Sequence, residues 1–137
     1  MAVDAKDLKI LEVLRKDSRT PIREIAKATG IKPSTIHLRM QGLVKQKVIK
    51  GFTIKVDPRE VDEGLEVFAY LSTDGIDPKA YDAGFIKKVI AVTGEYDTML
   101  VMRFKDLTQF DALFGRFKET KGIKGIKTIV VTDIIKD

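Results

Sequence analysis

The sequence predicts an α+β chain: an N-terminal helix-turn-helix unit of winged-helix type, followed by a ferredoxin-like βαββαβ unit. Three observations predict it. Apolar residues recur at helical spacing in three successive stretches before residue 47. From residue 65 onward, strand-like and helix-like stretches alternate as strand, helix, strand, strand, helix, strand. Charge separates the two regions: up to Asp57 there are 13 Lys or Arg against 6 Asp or Glu, and from Pro58 onward 12 against 14, so the whole surplus of the +5 chain is N-terminal. Nine basic residues and a single acid, Glu24, lie between Ser18 and Lys55. That is the footprint of a phosphate-binding surface.

The first helix is expected from Asp4 to Asp17, where Leu8, Ile10, Leu11 and Leu14 recur among charged residues. A second opens with Thr20 as N-cap and Pro21 at the first helical position, and sets Ile22, Ile25 and Ala26 on one face. Gly30 can take the left-handed conformation that ends it, and Pro33 can start a third helix with its φ already fixed.

In that third helix Ile36, Met40, Leu43 and Val44 form the apolar stripe. Ser34, Leu38, Gln41 and Lys45 point away from it, with Thr35 and His37 on its flanks. Short hydroxyls, an amide and a cation suit base edges and phosphates, and an outward Leu38 suits a thymine methyl. Arg39 flanks the same face. Lys32 stands where a small polar cap is usual and opposes the helix dipole, a conflict that a DNA phosphate would relieve. Arg39 and Lys32 are therefore assigned to phosphates, and Ser34, Thr35, Leu38 and Gln41 to bases. Gly42, inside the helix, implies either a close backbone approach or a poorly formed last turn.

Phe52 to Val56 alternates apolar and polar as a strand does, and Asp57-Pro58 breaks it. Domains are expected at residues 1–57 and 65–137, joined by a linker at 58–64. In the second, strands are expected at Leu65 to Thr73, Thr98 to Phe104 and Ile126 to Ile135. A short helix should begin at Asp77-Pro78 and end near Gly84, leaving Phe85 to Thr93 as strand. The last helix has Asp106 as cap, Gln109 at the capping-box position, Phe110, Leu113, Phe114 and Phe117 on one face, and Gly122 to stop it. Strands apolar on both faces, such as Met99 and Val101 against Leu100, Met102 and Phe104, need cover on both, and a second copy of the unit is the economical cover.

Function classes narrow from composition. The chain has no cysteine, which excludes disulfides and thiolate chemistry. No apolar run approaches the roughly 18 residues of a membrane span, and the start carries no signal-peptide core, so a cytoplasmic protein is expected. The single histidine, His37, has no carboxylate or second histidine at ligand spacing, so neither a metal nor any other cofactor is expected.

Taken together, these residues resemble the Lrp/AsnC family, the feast/famine transcription regulators, over essentially the whole chain. The likeness is carried by Val3-Asp4-x-x-Asp7-x-x-Ile10-Leu11-x-x-Leu14-x-x-Asp17-x-Arg19, Glu24-Ile25-Ala26, Gly30-Ile31, Ser34-Thr35-Ile36-x-x-Arg39, Leu43 and Val48-Ile49-x-Gly51-Phe52. Gly94-Glu95-Tyr96-Asp97, between the middle strands, is similar to the family's effector-domain signature. The resemblance implies a DNA reader followed by a RAM/ACT-like effector and oligomerisation domain. It also implies double-stranded DNA as partner, an amino acid as effector at Gly94, Glu95, Tyr96 and Asp97, and homodimers assembling into tetramers or octamers. Backbone N–H groups near Gly94 would hold a carboxylate, with Asp97 or Glu95 accepting from an ammonium. Two alternatives stand beside it: a decarboxylase of the sirohaem pathway, whose ligand-domain histidines this sequence lacks, and a sequence-indifferent chromatin protein.

Overall fold

The computed structural model describes residues 2–137 as two compact units, one ending at Lys55 and the other beginning at Val56. In the first, α1 (Ala5–Lys16), α2 (Ile22–Thr29) and α3 (Pro33–Lys45) enclose Ile10, Leu14, Ile25, Ile31 and Ile36. A complete capping box starts α1: Asp4 accepts from the Asp7 N–H at 2.9 Å, and Asp7 accepts from the Asp4 N–H at 3.1 Å.

The start of α2 lies one residue later than expected. Pro21 itself, extended at φ −68° and ψ 154°, takes the N-cap position, while the Thr20 hydroxyl turns back to the Asp17 carbonyl at 2.8 Å. At the other end Gly30, at φ 71°, closes α2 in the left-handed region, as expected. Thr29 tightens the corner by donating to the Ile25 carbonyl and accepting from the Ile31 N–H.

Phe52 to Val56 is not a strand. The sequence alternates apolar and polar residues there, but all five are exposed, and a strand is defined by a hydrogen-bonded neighbour. The Ser18 hydroxyl, in the turn between α1 and α2, donates to the Thr53 carbonyl at 3.1 Å. Phe52, Ile54 and Val56 are exposed.

The second unit is a four-stranded antiparallel sheet in the order β2-β3-β1-β4, from β1 (Leu65–Thr73), β2 (Ile86–Ala91), β3 (Thr98–Phe104) and β4 (Ile123–Val130), with α4 (Leu107–Glu119) on one face. This is the ferredoxin-like order. The first helix of that pattern is reduced to one 3₁₀ turn, Pro78–Tyr81, capped by Asp77. Val67, Ala69, Leu71, Leu100, Met102 and Phe104 pack beneath Leu113 and Phe117, with Phe85, Phe104 and Phe110 in successive ring contacts at 5.3 and 5.6 Å.

Two ends differ from expectation. β4 is bounded by its partner: it pairs with β1 from Thr73↔Ile123 to Val67↔Val130, one further bond joins the Val131 N–H to the Glu66 carbonyl, and Ile134 and Ile135 lie beyond the ladder. Gly122 does not stop α4, because Thr120 already leaves the helix. Gly122 instead serves a close crossing: at φ 96°, a Cβ there would lie 2.9 Å from the Asp74 carbonyl oxygen.

Candidate nucleic-acid interface and effector turn

Three residues, Gly30, Ile31 and Lys32, separate α2 from α3, and Ile31 is buried. That corner, with Ile36 and Leu43 sunk in the core, fixes which side of α3 faces out. Ser34, His37, Gln41 and Lys45 are exposed, Leu38 is 67% exposed, and Thr35 is half-buried at the edge. The structure therefore brings Ser34, Leu38, Gln41 and Lys45 onto one outward face, with Thr35 and His37 flanking it. Lys32 occupies the N-cap with no side-chain capping bond, so the positive end of α3 opens to solvent beside a cation.

Two features of α3 differ from expectation. Val44 is 46% exposed: it leaves the stripe and joins Ile22, Met40 and Phe52 around an open apolar cleft of about 460 Å³ with His37 at its rim. Gly42 marks neither a close approach within the chain nor a failed turn, since α3 runs on to Lys45 and a Cβ would meet only the Gln46 side chain at 3.9 Å.

Arg39 is also placed differently. Its Nη1 lies 2.6 Å from Asp4 Oδ2 and 3.1 Å from Asp7 Oδ1, so its charge is already met by two carboxylates of α1. Bonding to Arg39, then to the Asp7 N–H, holds the Asp4 carboxyl down at about 2, and the same two carboxylates raise the Arg39 guanidinium. The guanidinium expected at a phosphate thus faces two carboxylates of α1 in this structure. Sequence spacing put Arg39 beside the reading face but could not say what stood opposite, 35 residues away.

In the second unit Gly94, at φ 122°, and exposed Glu95 lie in the connection between β2 and β3, where the Val92 N–H donates to the Asp97 carbonyl. Tyr96 is half-buried, its ring 6.0 Å from that of Tyr70. Asp97 is engaged: its carboxylate accepts from the Thr73 N–H, the Thr73 hydroxyl and the Thr98 hydroxyl, each at 2.7 Å. Those bonds, the Thr73 N–H first, lower its pKa. Sequence reasoning missed Thr73 and Thr98 as its partners, and also Tyr81, whose phenol lies against Thr98 and is raised chiefly by burial.

The sheet face opposite α4 is set by register. Phe68, Tyr70, Met99, Val101, Ile90 and Ile129 share it, edged by the Glu66–Arg103 ion pair at 2.8 Å.

A family profile described as the AsnC-type helix-turn-helix domain matches residues 3–44, and one described as the Lrp/AsnC ligand binding domain matches residues 85–137. The HTH-type transcriptional regulator FL11 of Pyrococcus furiosus is 31% identical over 98% of this chain and 93% of its own length. Among solved structures, the regulator NMB0573 of Neisseria meningitidis in complex with L-Met has a TM-score of 0.91 at 22% identity, covering 99% of this chain and 94% of that one. The feast or famine regulatory protein Rv3291c of M. tuberculosis, complexed with L-methionine, has 0.86 at 20% identity, covering 99% and 96%. With an AsnC-type reader at one end and an Lrp/AsnC ligand-binding domain at the other, the chain belongs to the Lrp/AsnC family of transcriptional regulators.

Proposed function

We propose that this regulator reads duplex DNA with the outer face of α3 and that an amino acid bound near Gly94 adjusts its assembly. The observation that carries the first half is the outward grouping of Ser34, Leu38, Gln41 and Lys45 beside an uncapped, Lys32-flanked helix start, within the most basic stretch of the chain. Lys32 and Lys45 suit phosphates. Ser34, Leu38 and Gln41 suit base edges, with Thr35 and His37 at the margins.

For the effector, Gly94, Glu95 and Tyr96 supply the contacts and Asp97 builds the turn. A left-handed Gly94 lets backbone N–H groups converge on an α-carboxylate, and exposed Glu95 suits an ammonium. Two similar folds bind L-methionine, which supports an amino acid as the class. The apolar open face of the sheet suits a second copy of the chain, and two readers on a two-fold axis would meet half-sites about 34 Å apart. A cytoplasmic setting follows from that role.

In vitro selection from random duplexes tests the reader. Recovery of an inverted repeat is expected, and uniform affinity for all duplexes would replace this reading with a sequence-indifferent one.

A further inference from the structure

We infer that Arg39 is a positioning residue: together with Asp4 and Asp7 it fixes the roll of α3 about its own axis, and thereby the register in which α3 meets base edges. The inference rests on the reading of α3 as the DNA reader. Four carboxylate oxygens and one guanidinium nitrogen carry it. Asp4 Oδ1 and Asp7 Oδ2 are used by the capping box of α1, which leaves Asp4 Oδ2 and Asp7 Oδ1, and the single Arg39 Nη1 takes both. Each carboxylate thus divides between starting one helix and holding another.

The core cannot do this alone. Ile36 and Leu43 are the buried side chains of α3, and hydrophobic contact is non-directional. A helix with its side chains has a radius of roughly 5–6 Å, so a roll of about 20° carries a side-chain tip about 2 Å. Hydrogen bonds to base edges tolerate a few tenths of an ångström. Arg39 lies to one side of the Ile36–Leu43 line, where a directional tie opposes such a roll. Asp7 is only 9% exposed, so without Arg39 its carboxylate would be left buried and unmatched. The tie is therefore held from both ends.

The test compares a selected duplex with a scrambled one, using the full chain and a series of salt concentrations. Arg39→Gln should weaken the selected site about tenfold or more beyond the small loss that the missing charge causes at the scrambled one, and leave the salt slope unchanged. Asp7→Asn is the sharper variant. It removes a negative charge, which by charge alone strengthens binding to any DNA, yet the clamp requires the selected site to weaken. Arg39→Gln combined with Asp7→Asn should be no worse than either alone. If Arg39→Gln weakens both duplexes together and lowers the salt slope by about one, Arg39 contacts a phosphate and the clamp is wrong.

A readout without DNA keeps the two ideas separable. The chain has no cysteine, so spin labels at Lys9→Cys and Gln41→Cys report the α1–α3 distance uniquely. The distribution should broaden in Arg39→Gln, measured well below its lowered melting temperature, and Arg39→Lys, keeping the charge on a flexible stem without the planar guanidinium, should fall between. An unaltered distribution overturns the clamp. A wild-type chain with no sequence preference would sink the reader instead, and the labels would still decide the clamp. If Arg39→Gln fails to fold, Asp4→Asn, which leaves the Asp7 contact in place, is read in the same two assays.

Discussion

Arg39 Nη1 sits 2.6 Å from Asp4 Oδ2, joining the reading helix to the N-cap of the first helix. The Asp4 carboxyl consequently titrates at about 2 in the folded chain instead of 3.8. A depressed carboxylate contributes stability that is full above its unfolded value and is lost as pH falls through its folded one. Denaturant melts between pH 5 and pH 2 should show stability falling below about pH 3.8, with the fall shallower in Asp4→Asn. Equal slopes in the two chains would mean that Arg39 does not hold Asp4 in solution.

Gly42→Ala should stabilise the chain by roughly 0.5–1 kcal/mol, because it restores helix propensity where a Cβ meets only the Gln46 side chain. Urea unfolding measures the gain. DNA affinity should be retained. A more stable variant that no longer binds would show that the α3 backbone approaches DNA closely at Gly42.

Lys47, at φ 58°, is a non-glycine residue in the left-handed region just past α3. Lys47→Gly should raise stability by about 1 kcal/mol, the order of the steric penalty relieved. Calorimetric melting is the check, and a lower transition would mean that the lysine side chain contributes more than its backbone costs.

At the effector turn, Glu95→Ala and Asp97→Ala should part company. Titration calorimetry with methionine and other common amino acids should lose its heat in Glu95→Ala at an unchanged melting temperature. Asp97→Ala should melt earlier, because three bonds to Thr73 and Thr98 vanish. Full binding by Glu95→Ala would remove that carboxylate from the site.

Val101 lies on the open sheet face beside Phe68. Val101→Glu places a charge on the proposed assembly surface and should reduce the sedimenting species to monomer at micromolar concentration. An unchanged mass would place the interface elsewhere.

Periodicity carries these inferences well wherever one side of an element is buried. β1 and β3 have the bounds that their apolar runs give, because their inward residues, Val67 to Leu71 and Leu100 to Phe104, have a helix above them. The third helix is legible from Ile36 and Leu43 for the same reason. Alternation over Phe52 to Val56 states a preference for extended backbone but cannot supply a neighbouring strand. Likewise, the last strand begins at Ile123 and ends at Val130, where its pairing with β1 starts and stops, which nothing in Ile126 to Ile135 encodes. The partners of Arg39 and Asp97 are hidden from the sequence for one reason. They are 35 and 24 residues away, and spacing along one element reveals direction without revealing what waits there.

The single 3₁₀ turn at Pro78–Tyr81 leaves β2 thinly roofed, with Lys87 to Ala91 exposed along most of the strand. Amide protons there should exchange with solvent long before those of β1, because local opening uncovers little apolar surface. The Gly94 turn hangs from this same edge. A ligand that ordered the turn would slow exchange along β2, transmitting its presence as a loss of local motion with no displacement of the sheet.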